Sequence, residues 1–356
     1  MTSSNIRRIL KTLVQEPDSF TPQNSFAAMT EIMEGNASPA QIATFLTALK
    51  LHKLDHNPEI VATCANVMRD HALQVPLDEM LSKSVVDIVG TGGDGQDTFN
   101  CSTAAGIVAA AAGCYVAKHG NRASSSKSGA ADLLEKCGCQ VANIKPTEVS
   151  RILQEHHYCF LFSQTYHPAM RHVAVPRREM GVPTIFNLLG PMSNPVRPRR
   201  MVVGVYSPEI GRLMVEALKC VGTERALVVC GAEGLDEISI AGETHVWSLE
   251  ADGEITEFRV HPTRDFGLPV HPLEKVRGGL PEENARLLEQ ILAGEYTGPV
   301  LDFVLMNASA VLVVAGEAKD FLEGVEKCRA ALRESKGRVI LEGFRRESIH
   351  HTNGYE

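Results

Sequence analysis

The chain is poor in aromatic residues, which make up 5% of its 356 positions and include one tryptophan. No CxxC pair occurs among its nine cysteines, and Cys137-Gly138-Cys139 is their closest spacing. An odd number of scattered thiols reads as reduced cysteines in the cytoplasm, with a metal or redox site as the lesser alternative. Positive charge is in deficit: 35 Lys and Arg face 43 Asp and Glu, a net charge of −8. That balance argues against a general nucleic-acid binder, which needs a broad basic surface, but not against a basic pocket for a small anion. Long apolar runs are missing too. Ala104 to Ala117 is broken by Gly106 and Gly113 and is too short to cross a bilayer, so no membrane association is expected. Met1 to Arg8 lacks the apolar stretch of a signal peptide.

What is present is the composition of a soluble globular protein, 44% hydrophobic and 22% charged, with length enough for two domains. Thr21-Pro22, Ser38-Pro39 and Asn57-Pro58 each read as a helix N-cap followed by proline at the first helical position. Ile42, Phe45, Leu46 and Leu49 recur at helical spacing. Residues 1–77 are therefore expected to form a small domain of four helices, joined by part of the Pro-, Gly- and Arg-rich stretch 176–198. From Ser84 the pattern becomes α/β. Strands are expected at 85–89, 114–117, 139–142, 159–162, 201–206 and 226–230, with helices at 102–112, 147–156 and 208–220. Such alternation implies a mainly parallel sheet flanked by helices, here over 78–347, whose ligands sit beyond the carboxyl ends of the strands. Thr244–Leu249 and Ile255–Val260, around Asp252-Gly253, read as an antiparallel hairpin. Helices near 281–293 and 301–315 follow, and 348–356 is expected to be a disordered tail.

Two polar loops fall at strand ends. Gly90-Thr91-Gly92-Gly93-Asp94-Gly95 formally matches the glycine pattern of a dinucleotide site, but the second strand ends in Lys118-His119, not in the acid that would hold a ribose. The glycines suit a close approach of backbone N–H groups to an anion, with Asn100, Ser102 and Thr103 at the following helix N-terminus. An ordinary capped turn is the alternative. In the second loop, Lys118 and Arg122 can neutralise phosphate, with Ser125 and Ser126 as donors; a solvated turn is again the plainer reading. Asp236-Glu237, after the strand 226–230, suits Mg²⁺ near such a pocket, although adjacent acids are common on surfaces. His167 and Arg177 precede Phe186-Asn187-Leu188-Leu189-Gly190-Pro191. Arg177 suits a bidentate carboxylate clamp, Arg178 reads equally as a surface charge, and His167 equally as a cap or packing residue.

In this order the elements resemble the anthranilate phosphoribosyltransferases, whose fold is related to that of pyrimidine nucleoside phosphorylases. The resemblance runs from the helical start to about Leu341. It rests on Gly90–Asp94, Asn100–Thr103, Lys118–Asp132 and His167–Pro195. It implies transfer of the phosphoribosyl group from phosphoribosyl diphosphate (PRPP) to the amine of anthranilate. PRPP would be held by Gly90, Thr91, Gly93, Asp94, Thr98, Asn100, Cys101, Ser102, Thr103, Lys118, Asn121, Arg122, Ser125 and Ser126. Anthranilate would meet Gly90, Asn121, His167 and Arg177, and Mg²⁺ would meet Ser102, Asp236 and Glu237. Lys118, Asn121 and Arg177 carry the catalytic expectation, with no dedicated general base. Ala123, Ala130 and Pro183 depart from the usual serines and arginine, so a phosphate hydroxyl is lost at Ala130. The family also implies a homodimer through the helical domain, and closure of the two domains over the substrates. A pyrimidine nucleoside phosphorylase and a nucleic-acid-binding relative are the competing expectations.

Overall fold

The computed structural model describes residues 3–123 and 128–349. Four helices open the chain, Ser3–Gln15, Pro22–Met33, Pro39–Leu51 and Pro58–Asp70. The last three begin where their caps predict. Thr21 accepts from the Asn24 N–H, Ser38 from Gln41, and Asn57 from Glu59 and Ile60, each cap worth about 1 kcal/mol.

The strands are β1 (Val86–Gly90), β2 (Val116–Gly120), β3 (Tyr158–Phe162), β4 (Arg200–Gly204), β5 (Arg225–Gly231), β6 (Thr244–Leu249) and β7 (Ile255–Val260). They form one 7-stranded sheet in the order β3-β2-β1-β4-β5-β6-β7. β1 to β5 pair in parallel, and the β6–β7 hairpin adds antiparallel. The chain runs from β1 outward to β3, then returns to the other side of β1 with β4. That reversal makes a crevice at the carboxyl ends of β1 and β4, where open α/β sheets bind ligands.

Side chains alternate between two cores, as strand geometry requires. In β4 and β5, Val202, Leu227 and Val229 face the core built with helices Cys101–Ala111 and Pro299–Ala315. Met201, Val203, Ala226 and Val228 face the other core, which is continuous with the N-terminal helices. Val173, Ile185, Phe186 and Leu189 lie in that second core as well, so the stretch around 176–198 packs with the helical bundle.

The expected strand 139–142 is missing, and the first two residues of the expected tail 348–356 are helical, partly for one reason. Residues 139–142 form no strand; a 3₁₀ turn covers Val141–Asn143. The Gln140 N–H is taken by the Ser348 hydroxyl at 2.9 Å, leaving the edge strand β3 unextended. Ser348 is fully buried in the helix Lys336–Ile349, so the chain is ordered beyond the point where a tail was expected to start. Residues 350–356 lie outside the described residues. The helix Phe321–Arg333 also escaped the sequence reading.

Candidate functional site

β1 and β4 both end in glycine, paired as Gly90↔Gly204. A Cβ on Gly204 would land on the Asp236 carbonyl and one on Gly90 on the Asp236 carboxylate, well inside the 3.0 Å that a methyl needs. Bare glycines therefore let the turn after β5 lie across the ends of β1 and β4, bringing Asp236 and Glu237 to the crevice. Past Gly90 the loop turns through left-handed residues Gly92, Gly93, Gly95 and Asp97. Glycine takes these angles without strain; Asp97 does so at a cost. The Gly92 N–H donates to Asp236 Oδ2 at 2.7 Å.

The next helix starts at Cys101. Asn100 Oδ1 accepts from the Thr103 N–H at 3.2 Å, and Glu237 Oε1 accepts from the Ser102 N–H at 3.1 Å. A carboxylate is well placed there against the positive end of the helix dipole. Lys118 reaches in from β2, with only 2% of its surface exposed. Its Nζ donates to the Ile88 carbonyl at 2.7 Å and to Ser102 Oγ at 3.1 Å.

These groups border a cavity of about 290 Å³. Of the sequence-predicted residues it is lined by Gly90, Thr91, Gly93, Asp94, Thr98, Asn100, Ser102, Lys118, Asn121, Arg122, Asp236 and Glu237. The electrostatics are dominated by acids. Burial and the neighbouring Asp94 push the Asp236 carboxyl up to about 7. Burial, Asp236 and Asp94 raise Glu237 well above the usual carboxylate range. Burial lowers Lys118, against the pull of Asp87 and Glu237. Both acids keep part of their surface open to solvent, which screens the repulsion, and Glu237 Oε2 has no hydrogen-bond partner. Carboxylates crowded together with one oxygen unpartnered suit a divalent cation that prefers oxygen ligands.

The remaining predicted residues stay outside the cavity or, like Arg122, line it with their charge already bound. Cys101 and Thr103 are fully buried, and the Cys101 thiol turns to the Phe303 carbonyl at 3.5 Å, so neither side chain lines the cavity. Arg122 lines it, but its guanidinium is bound by Glu135 at 2.5 and 2.6 Å and lies near Asp132 at 3.5 Å. His167 is buried behind His119, ring centroids 5.1 Å apart, and does not border the cavity. Burial takes His167 down to about 4, and burial followed by His167 takes His119 well below the ordinary histidine range. Both rings are neutral near pH 7. Arg177 lies outside the cavity lining, its guanidinium 5.0 Å from the Phe186 ring centroid and without a carboxylate partner among the described residues. Arg178 is exposed. Ser125 and Ser126 fall outside the described residues.

The structure adds residues that the sequence reading passed over. His119, Ser128 and Asp97 line the cavity. The Ser128 hydroxyl is buried without a partner, two positions before the hydroxyl-less Ala130. Its place just ahead of the Gly129 helix cap was the available signal.

Residues 7–72 match the model of the glycosyl transferase family, helical bundle domain, and residues 82–338 match that of its a/b domain. The chain is 45% identical over 322 residues to an anthranilate phosphoribosyltransferase of Schizosaccharomyces pombe, covering 90% of each. It superimposes on the crystal structure of the Thermus thermophilus enzyme of that name with a TM-score of 0.87 at 40% identity, covering 97% and 99% of the two chains. It also superimposes on the Saccharomyces cerevisiae enzyme in complex with PRPP and Mg, with a TM-score of 0.89 at 33% identity, covering 97% and 98%. Matched along both domains, and carrying an acid-lined crevice at the topological switch of its sheet, the chain belongs to the anthranilate phosphoribosyltransferase family.

Proposed function

We propose that this protein transfers the 5-phosphoribosyl group of PRPP to the amine of anthranilate, releasing diphosphate, with Mg²⁺ as its cofactor. The observation that carries this reading is the grouping of Asp94, Asp236 and Glu237 at one rim of the cavity above buried Lys118. Asp236, Glu237 and the Ser102 hydroxyl are the groups to hold Mg²⁺, which when bound neutralises charge on the departing diphosphate.

The remaining work belongs to the chain. Backbone N–H groups of the glycine loop, with Thr98 and Asn100, meet phosphate oxygens. Lys118, fixed by two hydrogen bonds, supplies a preorganised positive charge beneath the leaving group. The amine lone pair forms the N–C1 bond as the C1–O bond to diphosphate breaks. An aromatic amine is already neutral, and the ammonium first formed is acidic, so positioning matters more than a base. Burial, which lowers the basicity of the His119 and His167 rings, agrees with that. Arg177, half-buried and without a carboxylate partner among the described residues, is the residue we assign to the anthranilate carboxylate, with Asn121 at the rim between the substrates.

The direct test follows anthranilate fluorescence during turnover. Decay should require both PRPP and Mg²⁺ and stop with EDTA. Asp236→Asn should lower kcat/KM about a hundredfold or more, equivalent to about 2.7 kcal/mol of lost charge stabilisation. Metal-independent decay would overturn the assignment.

We further propose a homodimer formed through the helical bundle. Leu51 is 75% and Val14 50% exposed, bordering a shallow apolar groove with Ala43 and Ala48. Light scattering at micromolar concentration should give twice the chain mass, and Leu51→Asp should shift it toward the single chain. All nine cysteines are free, which supports a cytoplasmic setting. Among the described residues no helix is long and apolar enough to cross a membrane.

A further inference from the structure

The cavity is short of cations. Among the described residues that line it, Asp94, Asp97, Asp236 and Glu237 are acidic and Lys118 and Arg122 basic. The Arg122 guanidinium is already engaged by Glu135 and Asp132. A substrate with several phosphates calls for another positive group at the mouth.

Residues 276–279 provide a place for one. Thr98 and Arg277 form an isolated antiparallel bridge. The Phe99 N–H donates to the Val276 carbonyl at 2.8 Å, and the Gly278 N–H to the Asp97 carbonyl at 2.8 Å. With the bonds on the flanking residues, Thr98 and Arg277 are a non-hydrogen-bonded pair, the arrangement in which opposed side chains lie closest on one face. Thr98 lines the cavity, so the bridge sets the Arg277 backbone next to the cavity edge, with the Arg277 side chain itself outside the lining. The segment is firmly held. Val276 is fully buried, and the buried Asn284 side chain bonds both the N–H and the carbonyl of Gly279, at 2.8 and 3.2 Å. Arg277 itself is exposed and makes no ion pair among the described residues.

We infer that Arg277 is a further substrate-binding residue, donating to a phosphate oxygen of PRPP beside Thr98. This rests on the PRPP reading above and extends it to an element remote in sequence from both phosphate loops. The held segment preorganises the backbone, so only the side chain is ordered on binding, which favours a useful contact from an exposed position.

The test is calorimetric titration of the intact protein with PRPP, diphosphate and ribose 5-phosphate in Mg²⁺ buffer, alongside steady-state kinetics. Arg277→Ala should weaken PRPP binding about five- to tenfold, the loss expected for one charge-assisted bond at a partly exposed site. Arg277→Glu should weaken it further and Arg277→Lys should retain most of it, with the anthranilate KM and urea midpoint unchanged in all three. Whichever of diphosphate and ribose 5-phosphate loses affinity identifies the phosphate contacted. Wild-type PRPP affinity in Arg277→Ala would overturn the inference and leave the PRPP reading standing. An equal loss in Arg277→Lys would also overturn it, by tracing the effect to the backbone rather than the charge. Failure of the wild-type protein to bind PRPP would overturn both.

Discussion

Substituting alanine for Gly204 tests the argument that the acidic turn is seated by two bare strand ends. Gly204 is not left-handed, so alanine is free to adopt its backbone angles and the effect is steric. The new methyl points at the Asp236 carbonyl oxygen, well inside 3.0 Å. β4 cannot retreat, because Gly204 is in register with Gly90 on one side and Val229 on the other. The turn at Asp236 must therefore move, by roughly an ångström or more, a misplacement that can cost about a hundredfold in rate. Overpacking of this kind lowers stability by about 1–3 kcal/mol. Gly90→Ala is the internal comparison. Its methyl clashes with the Asp236 carboxylate and meets the Asp236 carbonyl only at an ordinary contact of 3.4 Å, so the carboxylate can rotate away at the expense of its bond from the Gly92 N–H. An off-rotamer side chain costs about 0.5–1.5 kcal/mol, so Gly90→Ala should be the milder of the two in stability. Urea unfolding is readable from the single tryptophan, Trp247, buried in β6. Turnover is readable from anthranilate fluorescence. If Gly204→Ala keeps wild-type kcat/KM and midpoint, the seating argument is wrong.

Arg177→Ala should raise the anthranilate KM about 10- to 150-fold, matching the 1.5–3 kcal/mol of a charge-assisted hydrogen bond, with little change in the PRPP KM. Equal losses for both substrates in steady-state kinetics would contradict a carboxylate clamp. Acid stability should depend on His167. Its folded pKa of about 4 lies below the unfolded value of about 6.5, so the unfolded chain binds the proton more tightly. The stability from keeping this ring neutral is full above about pH 6.5 and is lost as pH falls toward 4, by about 3 kcal/mol. Relative to His167→Gln, the wild-type urea midpoint should fall over that range. A parallel pair of midpoint-versus-pH curves would refute it.

Much of the site was legible because local chemistry announces itself in order. Glycines after an apolar strand and an Asn-x-Ser-Thr run at the next helix start are signals that a sequence displays directly, and Lys118 stands within β2 with its Nζ held by the Ile88 carbonyl and Ser102. Where a side chain is placed differently from its expected role the cause is shared: composition does not say what a side chain meets in three dimensions. Arg122 reads as a phosphate cation until Glu135, one helix away, binds it at both nitrogens. Cys101 and Thr103 stand in a polar motif, but the helical period turns them inward to full burial. His167, after the short helix Ser163–Tyr166, packs behind His119 of β2 rather than beside the cavity.

Periodicity, caps and turn residues are local, so the primary structure alone specified the helical start, the parallel strands, the hairpin and the two polar loops. Their energies come from neighbours a few positions apart. Contacts distant in the chain lay beyond such reasoning. Gln140 is kept out of a strand by Ser348, Asp236 is seated by glycines on two strands, and Arg277 is brought opposite Thr98. In each case a hydrogen bond or a steric gap is completed by a partner outside the local segment, from about thirty residues away for Gly204 to about two hundred for Ser348, and only packing of the whole sheet selects that partner.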